Sequence, residues 1–320
     1  MKNDNILVSV VVPVYNSFKY MSMLLSSFEN QTNVNFEVVF IDDCSRDDSY
    51  TKLKSELKKY KFKCKLLKND VNKGPGVSRN IAIDNCSGKY ITFVDSDDYV
   101  SENFIDEIIS VINSYDVDSI IFDYNWVVEE KIVCRKSILG NYQGEITSNN
   151  AVALSNVMCW SKVFKKDLIN NNNIKFPPLM RSEDVAFSKV CLFKSNNIYY
   201  INKPLYYHLN NATSIMNNRS TIDITCAIKA FDYIEKNTEK CDAIEMVFIR
   251  ECLYITVQMM LIKKTKTSEI RKFIDECNKK YIGWSKNPYI KYQPLYLRFL
   301  LKCIRFKLIF LLKLAFMFKK

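Results

Sequence analysis

Apolar positions in the first hundred residues alternate between two periods. Short β-branched runs, ILVSVVVPV (Ile6 to Val14), FEVVFID (Phe36 to Asp42), CKLLK (Cys64 to Lys68) and KYITFVD (Lys89 to Asp95), read as strands. Between the first two, Met21, Leu24, Leu25 and Phe28 recur at i, i+3, i+4 and i+7, the spacing of a helix with one buried face. Ser45 with Asp48 three positions on predicts a capping box at the start of the second helix, and Gly88 a C-cap ending the third. Strands alternating with helices in this way build βαβ units, so the fold class expected is α/β with a doubly wound, mostly parallel sheet. Beyond Ser101 the pattern loosens into a helix near Phe104 to Ile112, strands near Ser119 to Val128, a polar stretch at Asn170 to Asn173 and a helical region from Thr221 to Lys264.

Charge changes the picture at the C-terminal end. The 320 residues carry a net charge of +11, and from Cys277 onward there are eleven basic residues and no acidic one. The preceding 276 residues hold 35 basic and 35 acidic groups, so a near-neutral body is joined to a cationic tail. A nucleic-acid-binding protein would spread basic charge over a folded face, and none is expected as a partner. On a helical wheel Arg298, Lys302, Arg305, Lys313 and Lys320 fall within about 80°, with Leu297, Phe299, Leu300, Leu301 and Ile304 among the apolar residues around them. This predicts a basic amphipathic helix over 292–320, apolar side down on an anionic membrane surface; docking on the body or on a second subunit of a homo-oligomer is the alternative. No run of about 18 uncharged apolar residues predicts a membrane span. The eleven cysteines are scattered without a C-x-x-C pair, which fits free thiols in a reducing compartment. With no export signal in MKNDNILVSVVVPVYN, the location expected is cytoplasmic, peripheral on the inner face of the cell membrane.

Candidate chemistry gathers at the carboxyl ends of the strands, where parallel sheets open a ligand crevice. Pro13, Tyr15 and Asn16 end the first strand, and Asp42 and Asp43 the second, although an Asp in that position is also a common turn or cap residue. Asp95-Ser96-Asp97-Asp98 closes KYITFVD. Three carboxylates in four residues repel one another unless a cation balances them, and oxygen ligands suit Mg²⁺ or Mn²⁺ better than zinc. An acidic turn capping the next helix is the alternative. NKGPGVSRN (Asn72 to Asn80) departs from a dinucleotide fingerprint because Arg79 stands at the third glycine position. Gly76 still permits close backbone approach, and Arg79 could reach a phosphate or base.

The blocks VSVVVPVYN, VVFIDDCSRDD, NKGPGVSRNIAI and GKYITFVDSDD together resemble glycosyltransferase family 2, and CWSKVFKKDLI, SEDVAF and PLYYHLNNATSIM resemble its bacterial capsule, O-antigen and lipopolysaccharide members. The resemblance runs from about Val8 to Met216. It implies a GT-A fold and an inverting, metal-dependent transfer from a nucleotide sugar, UDP-linked for preference, to a surface-polysaccharide or lipid-linked glycan acceptor. It further implies a catalytic domain over 1–220, with a nucleotide-binding half (1–100) and an acceptor half (101–220); beyond the resemblance, the residue pattern predicts a helical extension over 221–291 and the tail over 292–320. By residue, the resemblance implies Pro13, Tyr15, Asn16, Asp42, Asp43, Gly76, Arg79, Asn80, Asp95 and Ser96 around the nucleotide sugar, and Asp97, with Asp95, at a Mn²⁺ or Mg²⁺ ion. His208, the single histidine, is a further candidate ligand, against a packed or solvated role. Glu183 and Asp184 match the acidic pair, with the second acid as general base. Trp160 and Lys162 either line the acceptor pocket or belong to the core. A nucleotide-dependent dehydrogenase is disfavoured by the broken fingerprint, and a sugar-nucleotide-binding scaffold without turnover by the intact acids.

Overall fold

The computed structural model describes residues 6–128, 131–135, 139–210, 223 and 225–317. The expected helix start at Thr221, the end of PLYYHLNNATSIM, and the side chains of Phe316, Phe318 and Lys320 lie outside the described residues. The chain forms two compact units, one of Met1–Ala151 and Ser155–Asn211, the other of Val152–Leu154 and Ala212–Lys320.

The first unit is built on a ten-stranded mixed sheet. Its strands are β1 (Val8–Val14), β2 (Phe36–Asp42), β3 (Lys63–Lys68), β4 (Tyr90–Phe93), β5 (Tyr99–Val100), β6 (Ser119–Val128), β7 (Lys131–Arg135), β8 (Gly144–Ile146), β9 (Lys162–Lys165) and β10 (Ile198–Leu209). The order is β3-β2-β1-β4-β9-β6-β10-β5, with β7 on β6 and β8 on β10. β3, β2, β1 and β4 are mutually parallel, so the carboxyl ends of β1, β2 and β4 open on one edge. β9 runs antiparallel to both β4 and β6, which joins this nucleotide-type half to the parallel pair β6 and β10. Helices α1 (Ser22–Glu29), α2 (Ser49–Glu56), α3 (Pro75–Asp84), α4 (Phe104–Ser114), α5 (Ser148–Leu154), α6 (Lys166–Asn171) and α7 (Glu183–Lys194) follow the strands. The valine run of β1 is completely buried at Val10, Val11 and Val12, as a central strand covered on both faces requires.

Two local expectations are corrected by packing. Ser45 and Asp48 form no capping box: the Ser45 hydroxyl accepts the Asn16 N–H, and the Asp47 carboxylate accepts the Ser49 N–H that opens α2. Gly88 is not the C-cap of α3, which ends at Asp84. It lies against β1, where an added Cβ would sit 2.6 Å from Ser9 N, and its N–H donates to Ser9 Oγ at 2.8 Å.

The second unit contains α8 (Thr225–Asn237), α9 (Asp242–Val247), a π-helical stretch (Phe248–Tyr254), α10 (Ile255–Ile262), α11 (Thr267–Lys280), α12 (Leu295–Arg305) and α13 (Ile309–Met317). Phe231, Phe248 and Tyr281 form its aromatic core, Phe248 stacking on Tyr281 with ring centres 4.5 Å apart. The tail corrects the expected single helix. It breaks after Arg305, where Lys307 takes φ +53° and pairs with Asp275 of α11. Leu297, Leu300, Leu301 and Ile304, four of the apolar residues expected on a membrane surface, are buried, whereas Phe299 among them is exposed.

Candidate active site

Two loops at the open sheet edge are tied together before any ligand is considered. Asn16 takes φ +50° after β1, and its side-chain oxygen accepts the Arg46 N–H at 2.8 Å. Pro13 pairs with Ile41 inside the sheet, which leaves Tyr15 exposed at the strand end. Asp42 was expected beside the nucleotide, but it is fully buried and accepts the Ser45 N–H at 3.0 Å; it shapes the turn from inside. Asp43 accepts from Asn69, from Lys73 N–H and from Gly74 N–H, each at 2.8 Å. It therefore anchors the glycine loop that starts α3, with Gly74 at φ +84° as its N-cap residue.

The helix after that loop is turned toward α7 rather than toward open space. Gly76, expected to approach the nucleotide, approaches Glu183: an added Cβ would lie 2.8 Å from Glu183 Cγ and 3.2 Å from Phe176 Cβ. Asn80, also expected at the nucleotide, clamps the Phe176 backbone through two 2.9 Å hydrogen bonds, donating to its carbonyl and accepting from its N–H. Arg79 is buried, with Nη1 2.9 Å from Glu183 Oε1 and Nη2 2.9 Å from Asp95 Oδ1. A guanidinium presents a planar fork that can satisfy two carboxylates at once, and Arg79 bridges Asp95 and Glu183 in this way. Three chain segments, 104 residues apart at their extremes, thus share one cation.

The acidic turn is held from the opposite side by β10. Asp95 N–H donates to the Tyr206 hydroxyl at 3.1 Å, and Ser96 Oγ donates to Ser17 Oγ at 2.8 Å. Asp98 is buried and accepts from Tyr206 OH at 2.6 Å, Leu209 N–H at 2.8 Å and His208 Nδ1 at 2.9 Å. Burial pushes the Asp98 carboxyl up to about 6, against the lowering pull of His208. Burial alone would depress the His208 imidazole, but its hydrogen bond to Asp98 and the neighbouring acidic charges raise it. Trp160 stacks on Tyr206 at 4.3 Å and on His208 at 5.5 Å, and Trp126 meets His208 edge-on at 4.8 Å. Trp160 is therefore a buried wall behind the histidine, and Lys162 is buried among the Asn156 side chain, Met158 carbonyl and Ser161 hydroxyl.

Glu183 and Asp184 open α7, preceded by Ser182 at φ +64°. Glu183 is held by Arg79, whereas Asp184 is partly exposed and accepts the Val185 N–H at 2.8 Å. Burial of its surroundings, followed by the charge of Glu183, pushes the Asp184 carboxyl up to about 7 despite the opposing pull of Arg79. A carboxyl with that affinity can accept a proton near neutrality.

Among the described residues no three or more His, Cys, Asp and Glu side chains come together as a ready metal site. One Asp95 oxygen is committed to Arg79, which removes Asp95 from the front rank of ligands. Asp97 is partly exposed on the turn, and His208 with its Nδ1 proton on Asp98 has a lone pair on Nε2. A carboxylate and an imidazole oriented by a second carboxylate are a donor pair that fits a divalent cation whose other ligands come from a diphosphate. The sequence reading missed Tyr206 and undervalued Asp98. The cue was available in YYHL: Tyr206 and His208 are two apart on one strand and so share a face.

The Glycosyl transferase family 2 model matches residues 9–172. TarS of Staphylococcus aureus (strain MW2), a poly(ribitol-phosphate) beta-N-acetylglucosaminyltransferase, is 30% identical over 203 residues, which are 62% of this chain and 35% of TarS. This chain thus spans about a third of the length of that relative. WfgD of Escherichia coli, a UDP-Glc:alpha-D-GlcNAc-diphosphoundecaprenol beta-1,3-glucosyltransferase, is 30% identical over 201 residues, 62% of this chain and 74% of WfgD. The fold is similar to that of S. aureus TarS residues 1–349 crystallised with UDP, with a TM-score of 0.69 at 24% identity over 94% of this chain and 87% of that one.

Proposed function

Since the chain belongs to glycosyl transferase family 2, we propose that it moves a sugar from a nucleotide sugar, UDP-linked for preference, to a hydroxyl of a surface-polysaccharide or lipid-linked glycan acceptor. The observation that carries this reading is the Arg79 bridge, which fixes Asp95 at the acidic turn and Glu183 beside Asp184 in one site. Support for the donor comes from TarS, solved with UDP and with UDP-GlcNAc, and for the acceptor class from the diphosphoundecaprenol-linked sugar in the WfgD name.

In this reading Asp184 takes the proton from the attacking hydroxyl as the new glycosidic bond forms and the bond to the departing diphosphate breaks. Glu183 is held by Arg79 and sets the start of α7, so it positions Asp184 rather than replacing it. Asp97 and His208 would hold Mn²⁺ or Mg²⁺, which when bound offsets charge on the leaving group. Asp98 and Tyr206 fix the imidazole and the turn. Base and leaving group lie on opposite faces of the sugar in a single displacement, so an α-linked donor gives a β-linked product. TarS and WfgD both carry "beta" in their names, in keeping with this outcome. Lipid-linked acceptors put the reaction at a membrane face, and the basic C-terminal helices are the segment we assign to that contact. The reading is tested by incubating the protein with UDP-, GDP- and dTDP-sugars, with and without Mn²⁺ or Mg²⁺, and measuring nucleotide release. Metal-stimulated UDP release from one donor supports it; no release from any donor with metal and a glycan acceptor present overturns it.

A further inference from the structure

Half of the large apolar side chains exposed among the described residues lie within residues 282–311. An apolar surface of that extent on a folded protein marks a contact site. On α12, Leu295, Phe299, Lys302 and Phe306 fall within about 60° of one another, opposite the buried Leu297, Leu300, Leu301 and Ile304. Leu295 is 78% exposed, Phe299 51% and Phe306 63%. Arg298 and Arg305 flank this strip, and Phe310, 72% exposed, extends the apolar exposure onto α13. The helix is therefore apolar on two faces, and burial accounts for only one of them.

The charge around the outward face selects the partner. No acidic residue follows Glu276, and among the described residues Lys307 pairs with Asp275 while no carboxylate pairs with Arg298, Lys302 or Arg305. A second copy of this chain docked face to face would set Arg298, Lys302 and Arg305 against their own kind, with no acid in the segment to answer them. An anionic lipid surface answers both properties, because its headgroups take the cations and its acyl boundary takes the rings. No helix among the described residues is long and apolar enough to cross a membrane, so the contact is a surface one.

We propose that the outward face of α12, continued by Phe310, binds an anionic bilayer by shallow insertion of Phe299, Phe306 and Phe310, with Arg298, Lys302 and Arg305 at the headgroups. This deepens the assignment of a membrane-facing reaction and rests on that reading only for its use, since lipid binding is measurable without any sugar donor. The test sediments the full chain with phosphatidylcholine vesicles, with and without phosphatidylglycerol. The protein binds the anionic vesicles more tightly, and salt weakens this without abolishing it. Each cation at the surface is worth about fivefold in affinity, so Arg298→Gln, Lys302→Gln and Arg305→Gln together lower binding by about a hundredfold and remove the preference for anionic lipid. Phe299→Ser, Phe306→Ser and Phe310→Ser together cost more than about tenfold on both vesicle types. Phe299, Lys302, Arg305, Phe306 and Phe310 are exposed and Arg298 is half-buried, so the thermal transition shifts little, and UDP release measured without vesicles stays at the wild-type rate. Absence of binding by the intact chain, or serine-variant binding equal to wild type, overturns the proposal. So does a dimer in solution that the serine changes dissociate without affecting vesicle binding.

Discussion

The acidic turn and the C-terminal helices both concentrate charge of one sign, yet they balance it in opposite ways. Asp95 and Glu183 share Arg79, while Asp98 receives a tyrosine, an imidazole and a backbone N–H. Every one of these carboxylates is answered from another segment of the same chain. On α12, Arg298, Lys302 and Arg305 stand beside exposed rings with no acid in the sequence after Glu276. The contrast teaches what each region is for. A site whose charges are balanced internally has a geometry set before the ligand arrives, whereas a face whose charges are not is the surface to which the lipid contact is proposed.

The most severe way to break the contrast is to remove the shared cation. Arg79→Ala leaves Glu183 and part of Asp95 as unpaired charges in a buried setting, with an expected loss of about 3–5 kcal/mol in urea unfolding and no measurable transfer. Arg79→Lys restores one ion pair at most, because an ammonium lacks the planar fork. Next in size is Asp98→Asn, which keeps the volume and removes the charge that orients His208. Binding of Mn²⁺, read by titration calorimetry in the presence of UDP, is expected to weaken about 10- to 100-fold, while UDP affinity without metal is unchanged. Gly76→Ala tests the close approach of α3 to α7. A methyl 2.8 Å from Glu183 Cγ has to displace that side chain, at a cost of about 1–3 kcal/mol in thermal unfolding.

A smaller effect concerns pH. The Asp184 carboxyl is raised in the folded state, to about 7, so the folded chain holds this proton more tightly than the unfolded one. Stability from this group is full below the ordinary carboxylate range and is lost as pH rises through about 7, while a base at this position gains activity over the same interval. Asp184→Asn should accordingly unfold at the same or a slightly higher temperature than wild type at pH 8, with no such gain at pH 4. Calorimetry at the two pH values separates this trade from a simple loss of fold.

Much of this architecture was legible in the sequence because β-strands bury alternating or continuous apolar runs that survive as a local signal. The run FEVVFID coincides with β2, and the acidic turn follows β4 as KYITFVD implied. What sequence could not give was direction in space. Arg79, Gly76 and Asn80 sit in a loop-helix that looks built for a phosphate, and only the packing of α3 against Phe176 and Glu183 turns them inward. In the tail the wheel gathered the cations on one side, but a turn at Lys307 and a partner at Asp275 lie outside any periodicity argument. The wheel therefore grouped residues that the fold divides, with Leu297, Leu300, Leu301 and Ile304 in the core and Phe299 outside.

The central claim is that Asp184 acts on the acceptor while the acidic turn handles the donor. The direct measurement is kcat and UDP affinity of wild type and Asp184→Asn, side by side, with the donor that gives metal-stimulated UDP release. The account predicts a fall of about 10² to 10⁴ in kcat, loss of the rise in rate through pH 7, and UDP affinity within about twofold of wild type. A variant that turns over at the wild-type rate, or one that loses UDP binding in proportion to rate, would contradict it.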